Sequence, residues 1–420
     1  MKNAGNARFA FTLLFLLYMF DYIDRMVIVS LFPFLKEAWH ISDTQCGLLV
    51  SAVYWSILLF SFPVSILIDR WSRKKTIGLM AIFWSIATLL CVFTRNFRQL
   101  FTARIAIGTG EAGYAPGGAA LISALYPSRK RARMLGIWNA AIPLGSAIGI
   151  AAGGIIAEKL GWRHAFGIVA LPGLILALLF FRVRDYKTVR LNPPGSGDPD
   201  ARSGRTSVAS FTIRTFLKPS LVFNNLAFAA NVFVTTALMS WLPTYFHRLE
   251  GIPMSHAGPK SGLVMFMAII GAPLGGYLAD RWTERFQRGR MLFPALSSIV
   301  SALILTIAFS GLAGNSQYVV LLLSGVTLIM FVPSGVAVTQ DVVHPGLRAI
   351  SLSINIVIQH TLGSPLGPLF VGAMSDGYSL ETAFKFLPLF ALAAGLLFLA
   401  GSFFYSRDLS TIASVEIEME

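Results

Sequence analysis

Long apolar runs separated by short polar segments dominate this chain. A helix needs about 20 mostly apolar residues to cross a bilayer, and about twelve stretches of the sequence meet that requirement. The predicted spans lie at about 9–32, 45–68, 76–94, 98–122, 134–158, 164–183, 221–243, 259–279, 291–311, 317–340, 350–373 and 384–405. The pattern therefore predicts an all-α membrane protein with twelve transmembrane helices.

One stretch interrupts the apolar pattern and divides the runs into two sets of six. Residues 184–218 are basic and rich in proline, glycine and serine, which is typical of a flexible linker. We therefore predict a six-helix bundle over 1–183, a cytoplasmic linker over 184–218, a second bundle over 219–405 and a cytoplasmic tail over 406–420. Two internal repeats, of Asp69-Arg70-Trp71 as Asp280-Arg281-Trp282 and of Leu144-Gly145-Ser146 as Leu362-Gly363-Ser364, indicate that the bundles are pseudo-symmetric.

The charge of the chain fits a membrane protein rather than a nucleic-acid-binding one. Only 13% of the residues are charged, against about 25% in soluble domains. The net charge is +14, and the basic residues cluster after the second, fourth and eighth runs, on one side of the predicted bundle. By the positive-inside rule that side is cytoplasmic, so we predict a multi-pass protein of the cell membrane with both termini in the cytoplasm. No basic face alternates with stacking aromatics, and we expect no nucleic-acid partner.

Five charged residues lie within the first and fourth apolar runs, away from the run ends, where an unpaired charge is costly. Arg104 and Glu111 are seven residues apart and share one helix face, while Asp21 and Arg25 are four apart and can pair with each other. Asp24 either points elsewhere or shares the arginine. These residues predict the charged wall of an internal pathway, and the alternative is a buried pair that only fixes helix packing.

The second set of runs carries neutral polar residues instead. We predict that Asn231, Asn355 and Gln359 line the pathway there, whereas a buried, hydrogen-bonded His360 would be ordinary. A charged lining in one half and a neutral or apolar lining in the other fits an amphipathic substrate.

Catalysis would need a nucleophile with a base, or a cluster of metal ligands, in the cavity. The sequence offers neither, so we expect no enzyme activity, no metal site and no cofactor. Cys46 and Cys91 are expected to be free thiols.

The loop at Asp69, its repeat at Asp280 and the two-half layout resemble the major facilitator superfamily over essentially the whole chain, although Ser65 and Ser72 stand where glycine is usual. The segments that resemble Spinster-type transporters are Tyr22-Ile-Asp24-Arg25, the residues 42–49, the residues 108–114, the residues 142–146, the residues 161–163 and the residues 347–349. Sugar-acid symporters of the same superfamily share the Asp-Arg and Gly-Glu-Ala signatures.

The resemblance implies the major facilitator fold and a role for each matched position. Asp24 and Glu111 would carry protons, and Arg25, Arg104 and Tyr114 would bind the substrate or its anionic group.

The loops at Asp69 and Asp280 are expected to act as gates. A carboxylate near a helix end with basic residues after it can form ion pairs between helices that hold one conformation closed, and the predicted gate residues are Asp69, Arg70, Asp280 and Arg281. The alternative is a plain basic loop on the cytoplasmic side. Asp69 is expected to pair across the halves in an outward-open state.

The expected function is that of a proton-coupled secondary transporter that moves an amphipathic anion, such as a lysolipid or sphingoid-like molecule, by rocker-switch alternating access. Its partners would be that substrate, protons and membrane lipids, and we expect a monomer. A proton symporter of small organic anions such as sugar acids is the alternative. A membrane-embedded enzyme and a non-transporting receptor are two further classes that the fold could serve.

Overall fold

The computed structural model describes residues 2–70, 72–183, 216–344 and 347–411, and within them the side chains of 2–6, 65–70, 73, 128, 129, 132 and 349 are not described. The predicted linker over 184–218 lies outside the described residues up to residue 215, and the predicted tail does so beyond residue 411. Helices before this linker are called the first half, and helices after it the second half.

The described part of the first half is helical and contains no strand. Its helices are α1 Lys2–Val27, α2 Phe32–Trp39, α3 Asp43–Arg70, α4 Arg73–Cys91, α5 Phe97–Glu111, α6 Tyr114–Leu125, α7 Ser128–Asn139, α8 Ala141–Leu160 and α9 Trp162–Phe180.

The described part of the second half is built in the same way. Its helices are α10 Pro219–Leu249, α11 Met254–Phe266, α12 Ala268–Arg285, α13 Gly289–Ser310, α14 Gly314–Thr327, α15 Val332–Asp341, α16 Arg348–Ile358, α17 Leu366–Gly377 and α18 Leu380–Ser410. The twelve predicted spans are confirmed, because six of them correspond to single long helices and the others to consecutive shorter ones.

The interruptions have local causes. A 3₁₀ turn at Ile28–Leu31 follows α1, and Pro33 then fits the first turn of α2, where its missing N–H is not needed. The fourth span breaks at Ala112 and Gly113, between α5 and α6. The eleventh contains a π-helical turn at Gln359–Gly363, a feature that often occurs at functional sites.

Within the described residues, nine of the twelve spans are long and apolar enough to cross a membrane by length and composition. The other three are the first, the fourth and the eleventh spans, which are also interrupted. The first and the fourth carry the charged residues singled out in the sequence, and the eleventh carries Asn355 and Gln359. The three spans that do not meet this criterion therefore carry most of the predicted site.

The two halves meet along α8 with α11 and along α3 with α17. Glycines allow this close approach: a Cβ at Gly47 would collide with the carbonyl group of Pro368, and one at Gly258 would lie 2.8 Å from the carbonyl oxygen of Ile150. We call the side of the molecule on which α9 ends and α10 begins the linker side, and the opposite side the far side.

Candidate functional site

A buried charged cluster occupies the centre of the first half. Its members come from the first and fourth spans, on α1 and α5, and none is more than 6% exposed. We use the name charged cluster for Asp21, Asp24, Arg25, Arg104 and Glu111.

Arg25 is the hub of this cluster. One terminal nitrogen, Nη2, lies 3.1 Å from Oδ2 of Asp21 and 2.7 Å from Oε2 of Glu111. The predicted pairing of Asp21 with Arg25 along the helix is thus confirmed. Glu111, however, pairs with Arg25 of another helix rather than with Arg104 of its own, because a separation of two turns keeps those two side chains apart.

Aromatic rings cover the rest of the Arg25 guanidinium. Its central carbon lies 4.5 Å from the ring centre of Tyr22 and 5.6 Å from that of Tyr54. The ring of Tyr54 in turn meets that of His360 edge to face, with the ring centres 5.9 Å apart. Because His360 belongs to the second half, this line of contacts connects the charged cluster with the facing bundle.

Asp24 points away from Arg25, which is one of the two orientations that the sequence left open. Its Oδ2 shares a hydrogen bond with the hydroxyl of Thr88, and that hydroxyl also lies 3.0 Å from the carbonyl oxygen of Trp84. A hydroxyl has one hydrogen to donate, so it cannot serve both acceptors at once. A protonated Asp24 would resolve this conflict by donating to Thr88 while Thr88 donates to Trp84.

Arg104 contacts main-chain carbonyls rather than carboxylates. Its guanidinium lies 3.1 Å from the carbonyl oxygen of Leu49, 3.4 Å from that of Asp24 and 3.2 Å from that of Arg25, and the side chain is fully buried. The last two carbonyls belong to the final turn of α1, where this helix passes into the 3₁₀ turn at Ile28–Leu31. In this conformation Arg104 therefore fixes the end of α1, and its role as an anion ligand stays a prediction.

Several polar atoms of the cluster have no hydrogen-bond partner among the described residues. They are Asp21 Oδ1, Asp24 Oδ1, Glu111 Oε1 and Arg25 Nε, and each is shielded from solvent. Buried polar groups are normally satisfied, and exceptions call for an explanation. The three carboxylate oxygens are free to accept a proton or a hydrogen bond from a ligand, and the Nε–H group of Arg25 is free to donate to one.

Tyr114 lies in an aromatic group beside the cluster. Its hydroxyl donates to the carbonyl oxygen of Leu14 at 2.6 Å, and its ring lies 5.5 Å from that of Tyr18. The residue is 1% exposed. The predicted contact with substrate would require this packing to open.

The predicted polar residues of the second half separate into two places. Asn355 donates to Asn225 at 2.9 Å, and Gln359 donates to Asn355 at 2.5 Å, which forms a chain of amides beside the π-helical turn. Asn231 instead donates to Ser298 of α13 at 2.9 Å. Asn355 and Gln359 are thus brought together, and Asn231 is not.

The predicted gates on the linker side are described in part. The side chains of Asp69 and Arg70 lie outside the described residues, so their pairing stays a prediction. Asp280 forms an ion pair with Arg290 of the same half, and Arg281 is exposed. Arg290 also lies 3.4 Å from Asp341, again within the second half.

A set of contacts between the halves on the far side was not predicted. Both oxygens of Asp43, the first residue of α3, receive hydrogen bonds of 2.7 Å from the guanidinium of Arg248 at the end of α10. Ser375 of α17 also donates to Asp43 at 2.5 Å. The neighbouring Asp376 accepts from the backbone N–H groups of Asp43 and Thr44, both at 2.8 Å. We call these contacts the far-side lock.

The far-side lock combines two strong kinds of interaction. A bidentate pair, in which one guanidinium donates to both oxygens of a carboxylate, is among the strongest hydrogen-bonding arrangements in proteins. A carboxylate at the start of a helix satisfies free N–H groups and complements the helix dipole. Asp43 and Arg248 are 205 positions apart, and no sequence pattern links them, so this site could not be found without the fold.

Comparison with known proteins agrees with this architecture. The Major Facilitator Superfamily sequence model matches residues 14–368. Protein spinster homolog 1 of Xenopus tropicalis is 28% identical, with 94% of this chain and 80% of that protein covered. The sphingosine-1-phosphate transporter SPNS2 of Mus musculus is 26% identical (92% and 76% covered), and the hexuronate transporter of Bacillus subtilis (strain 168) is 24% identical (91% and 90% covered).

Solved structures show the same fold. A bacterial homologue of the human lysosomal transporter Spinster, in an inward-facing and unoccupied conformation, superimposes with a TM-score of 0.79 at 23% identity, covering 97% of this chain and 98% of that one. A D-xylose–proton symporter gives a TM-score of 0.73 at 16% identity, with 93% and 97% covered. Spinster proteins are thus among the relatives of this chain. The match of the family model over most of the sequence, on a fold of two six-helix bundles, shows that this chain belongs to the Major Facilitator Superfamily.

Proposed function

We propose that this transporter is proton-coupled and moves an amphipathic anion, such as a lysolipid or sphingoid-like molecule, by rocker-switch alternating access. The observation that carries the proposal is the buried Arg25, which two carboxylates share inside an otherwise apolar bundle. The named relatives are transporters, and we propose no enzymatic role.

The charge balance of the cluster supports proton coupling. It contains three carboxyl groups, Asp21, Asp24 and Glu111, but two guanidinium groups, Arg25 and Arg104. A surplus negative charge is expensive in a medium of low dielectric constant, and one proton removes it. Asp24 and Glu111 are the carriers we propose: Asp24 has its hydroxyl partner Thr88, and Glu111 has an unpartnered oxygen beside Arg25.

Arg25 offers a direct route from anion binding to proton binding. An incoming anion that pairs with its guanidinium would displace Glu111 or Asp21, because both use the same Nη2 atom. The displaced carboxylate would be left buried without a counter-charge, and it would then take up a proton. This mechanism makes the anion and the proton bind together.

The names of the relatives bear on the class of substrate. One is named for sphingosine 1-phosphate and another for hexuronate, and both of those molecules are anions. Arg25 suits the anionic group of either. Greater similarity to Spinster proteins favours the amphipathic substrate, and a small sugar acid is the second candidate.

The far-side lock supports the conformational part of the proposal. Its contacts join α3 of the first half to α10 and α17 of the second half, so the far side is closed. If the linker side is cytoplasmic, as the basic loops predict, this is an inward-facing arrangement, and both termini lie in the cytoplasm. Transport would require the lock to break while contacts at the linker side, including those predicted for Asp69, form.

The test of proton coupling uses Glu111→Gln in liposomes loaded with a fluorescent pH reporter. Glutamine keeps the shape of the side chain but cannot carry a proton. We expect pH-gradient-driven transport to fall to the level of empty liposomes, while anion binding and exchange persist in part. Glu284→Gln, which changes an exposed carboxylate of α12, is the matched control and should behave like the parent.

Proton flux in Glu111→Gln equal to that of the parent would remove Glu111 from the proposal. The substrate is tested separately with a thermal stability screen that sets lysophospholipids against sugar acids, because a bound ligand stabilises the folded protein by mass action. Stabilisation by sugar acids alone would establish the second candidate.

A further inference from the structure

A separate pocket opens on the far side of the first half, at the junction of α2, α3 and the loop between α4 and α5. Its volume is about 630 Å³, and it is lined mainly by Trp39, His40, Gln45, Arg95, Phe97 and Arg98. None of these residues belongs to the charged cluster or to the far-side lock. Its lining combines charged and polar side chains with the aromatic rings of Trp39 and Phe97, and we call these rings its aromatic edge.

The arginines of this pocket differ from four other cations of the far side, each of which has an acidic partner. Lys36 and Arg248 pair with Asp43, Lys260 pairs with Glu250, and Lys385 pairs with Glu381. Arg95 and Arg98 have no acidic partner among the described residues, although Glu37 is on neighbouring α2. The pocket therefore gathers two cations that have no acidic partner among the described residues.

A third arginine reinforces the positive charge. Arg163, at the start of α9, donates to the carbonyl oxygen of Thr94 at 3.1 Å. Its guanidinium carbon lies 4.2 Å from the ring centre of Trp162, whose ring packs edge to face on that of Trp39 at 5.1 Å. These contacts hold the loop that carries Arg95 against the aromatic edge of the pocket. No carboxylate takes part in them.

The pocket borders the membrane-facing surface of α4. Apolar side chains that are 45–70% exposed recur every three or four residues along this helix and the turn that follows it, at Leu79, Phe83, Ile86, Leu90 and Phe93. Such spacing places them on one face, and in a membrane protein an exposed apolar face contacts lipid chains. The stripe ends at Phe93, two residues before Arg95. A lipid chain lying along it would bring its headgroup to the level of the arginines.

We propose that this pocket binds the phosphate headgroup of an anionic phospholipid in the far-side leaflet, with one acyl chain along the α4 stripe. Guanidinium groups bind phosphate through paired hydrogen bonds, and tryptophan favours the headgroup level of a bilayer. The stripe is what selects a lipid rather than free phosphate. The site is distinct from the transport pathway and does not depend on the identity of the transported substrate.

The experiment compares the full-length parent with Arg95→Gln/Arg98→Gln in a neutral detergent. Short-chain phosphatidylglycerol, phosphatidylcholine and inorganic phosphate are added separately, and bound lipids are counted by native mass spectrometry while melting temperatures are recorded. Lys385→Gln, which removes a far-side cation that already has an acidic partner, is the control. Because the basic linker can also attract anionic lipid, the informative quantity is the difference between parent and variant.

We expect the parent to bind one phosphatidylglycerol more than the double variant, with an affinity about 25-fold higher, since each basic residue near anionic lipid contributes about a fivefold factor. The control should match the parent. Equal phosphatidylglycerol binding by parent and double variant overturns the proposal. Equal binding of phosphatidylcholine, or equal stabilisation by inorganic phosphate, overturns the anionic lipid as the ligand. If the double variant does not fold, Arg95→Lys/Arg98→Lys replaces it, and it should retain part of the lipid binding because it keeps the charge without the paired hydrogen bonds.

Discussion

The two halves share one architecture but bury different kinds of polar group. Six charged residues are buried in the described first half, namely the five of the charged cluster and Asp43. In the described second half the buried charged residue is Asp408, near the linker-side end of α18, where it accepts from the backbone N–H of Ser220 at 2.9 Å. The centre of the second half holds the amides Asn225, Asn355 and Gln359 instead.

This difference between the halves suits them to two functions, namely binding of a ligand and response to a proton. Side-chain amide groups stay neutral and keep their hydrogen-bonding capacity at any physiological pH, so they can bind a ligand but do not take up or release a proton. Carboxylates and arginines in a low-dielectric interior respond strongly to one added charge. We therefore place proton coupling in the first half, and we expect the second half to contribute contacts whose strength does not vary with pH.

Replacing Arg25 should have the largest effect on transport, because this residue is the centre of the charged first half. Arg25→Ala removes the shared partner of Asp21 and Glu111 and the proposed ligand of the anion. Removing one member of a buried ion pair typically costs about 3–5 kcal/mol. We expect transport in liposomes to fall to background and anion binding to be lost by calorimetry.

Arg285→Ala, at an exposed position at the end of α12, is the matched control for that substitution and should transport normally. Arg25→Lys should recover a part of the activity, because it keeps the charge but not the guanidinium that Tyr22 and Tyr54 cover. Anion affinity that survives intact in the alanine variant would show that the first half does not bind the substrate through this residue.

Replacing Arg104 should have the next largest effect. We expect it to lower the stability of the folded protein rather than the affinity for the anion. Arg104→Lys keeps the positive charge, yet an ammonium group cannot reach the three carbonyl oxygens that the guanidinium contacts. Each buried carbonyl left unpaired costs about 1–3 kcal/mol. We expect a clearly lower melting temperature for Arg104→Lys, measured in detergent.

The companion variant Arg104→Gln removes the charge and tests the predicted role in anion binding. If Arg104 only fixes the end of α1, the folded glutamine variant should bind the anion about as well as the lysine variant. A much weaker affinity in the glutamine variant alone would make Arg104 a ligand and would give the first half two anion-binding arginines.

The sequence predicted the fold and part of this site. Spans could be located because length and hydropathy follow from bilayer thickness, and the pairing of Asp21 with Arg25 follows from helical spacing. The partner of Glu111 could not be predicted, because it depends on how α1 packs on α5 across 86 positions. The contacts of Arg104 could not be predicted either, because they are with backbone carbonyl groups, which every residue has.

Weakening the far-side lock, which connects the two halves, should have a smaller effect, on the conformational equilibrium. Asp43→Asn keeps the shape but weakens the paired hydrogen bonds from Arg248, and hydrogen bonds to charged groups contribute about 1.5–3 kcal/mol. We expect the population to shift towards far-side opening. Spin labels at the exposed residues Glu37 and Tyr378, in opposite halves, should report longer distances than in the parent.

Glu381→Gln is the control for the lock, since that exposed carboxylate pairs with Lys385 of its own helix. Cys46 and Cys91 are buried and should not compete for the labels. An unchanged distance distribution in Asp43→Asn would mean that close packing of the glycine faces, rather than the ion pair, holds the far side shut.

The smallest effect on transport is expected from a substitution in the second half. Such a substitution tests directly whether proton coupling is confined to the first half. Gln359→Leu removes the end of the amide chain and leaves Asn355 bonded to Asn225. A neutral hydrogen bond contributes about 0.5–1.5 kcal/mol, so anion affinity should fall by about tenfold at most. The pH dependence of transport should stay that of the parent, because no titrating group has been changed or deprived of a partner. Transport rates measured across a series of pH values would check this, and a displaced pH profile in Gln359→Leu would show that proton coupling extends into the second half through the line from Arg25 to Tyr54 and His360.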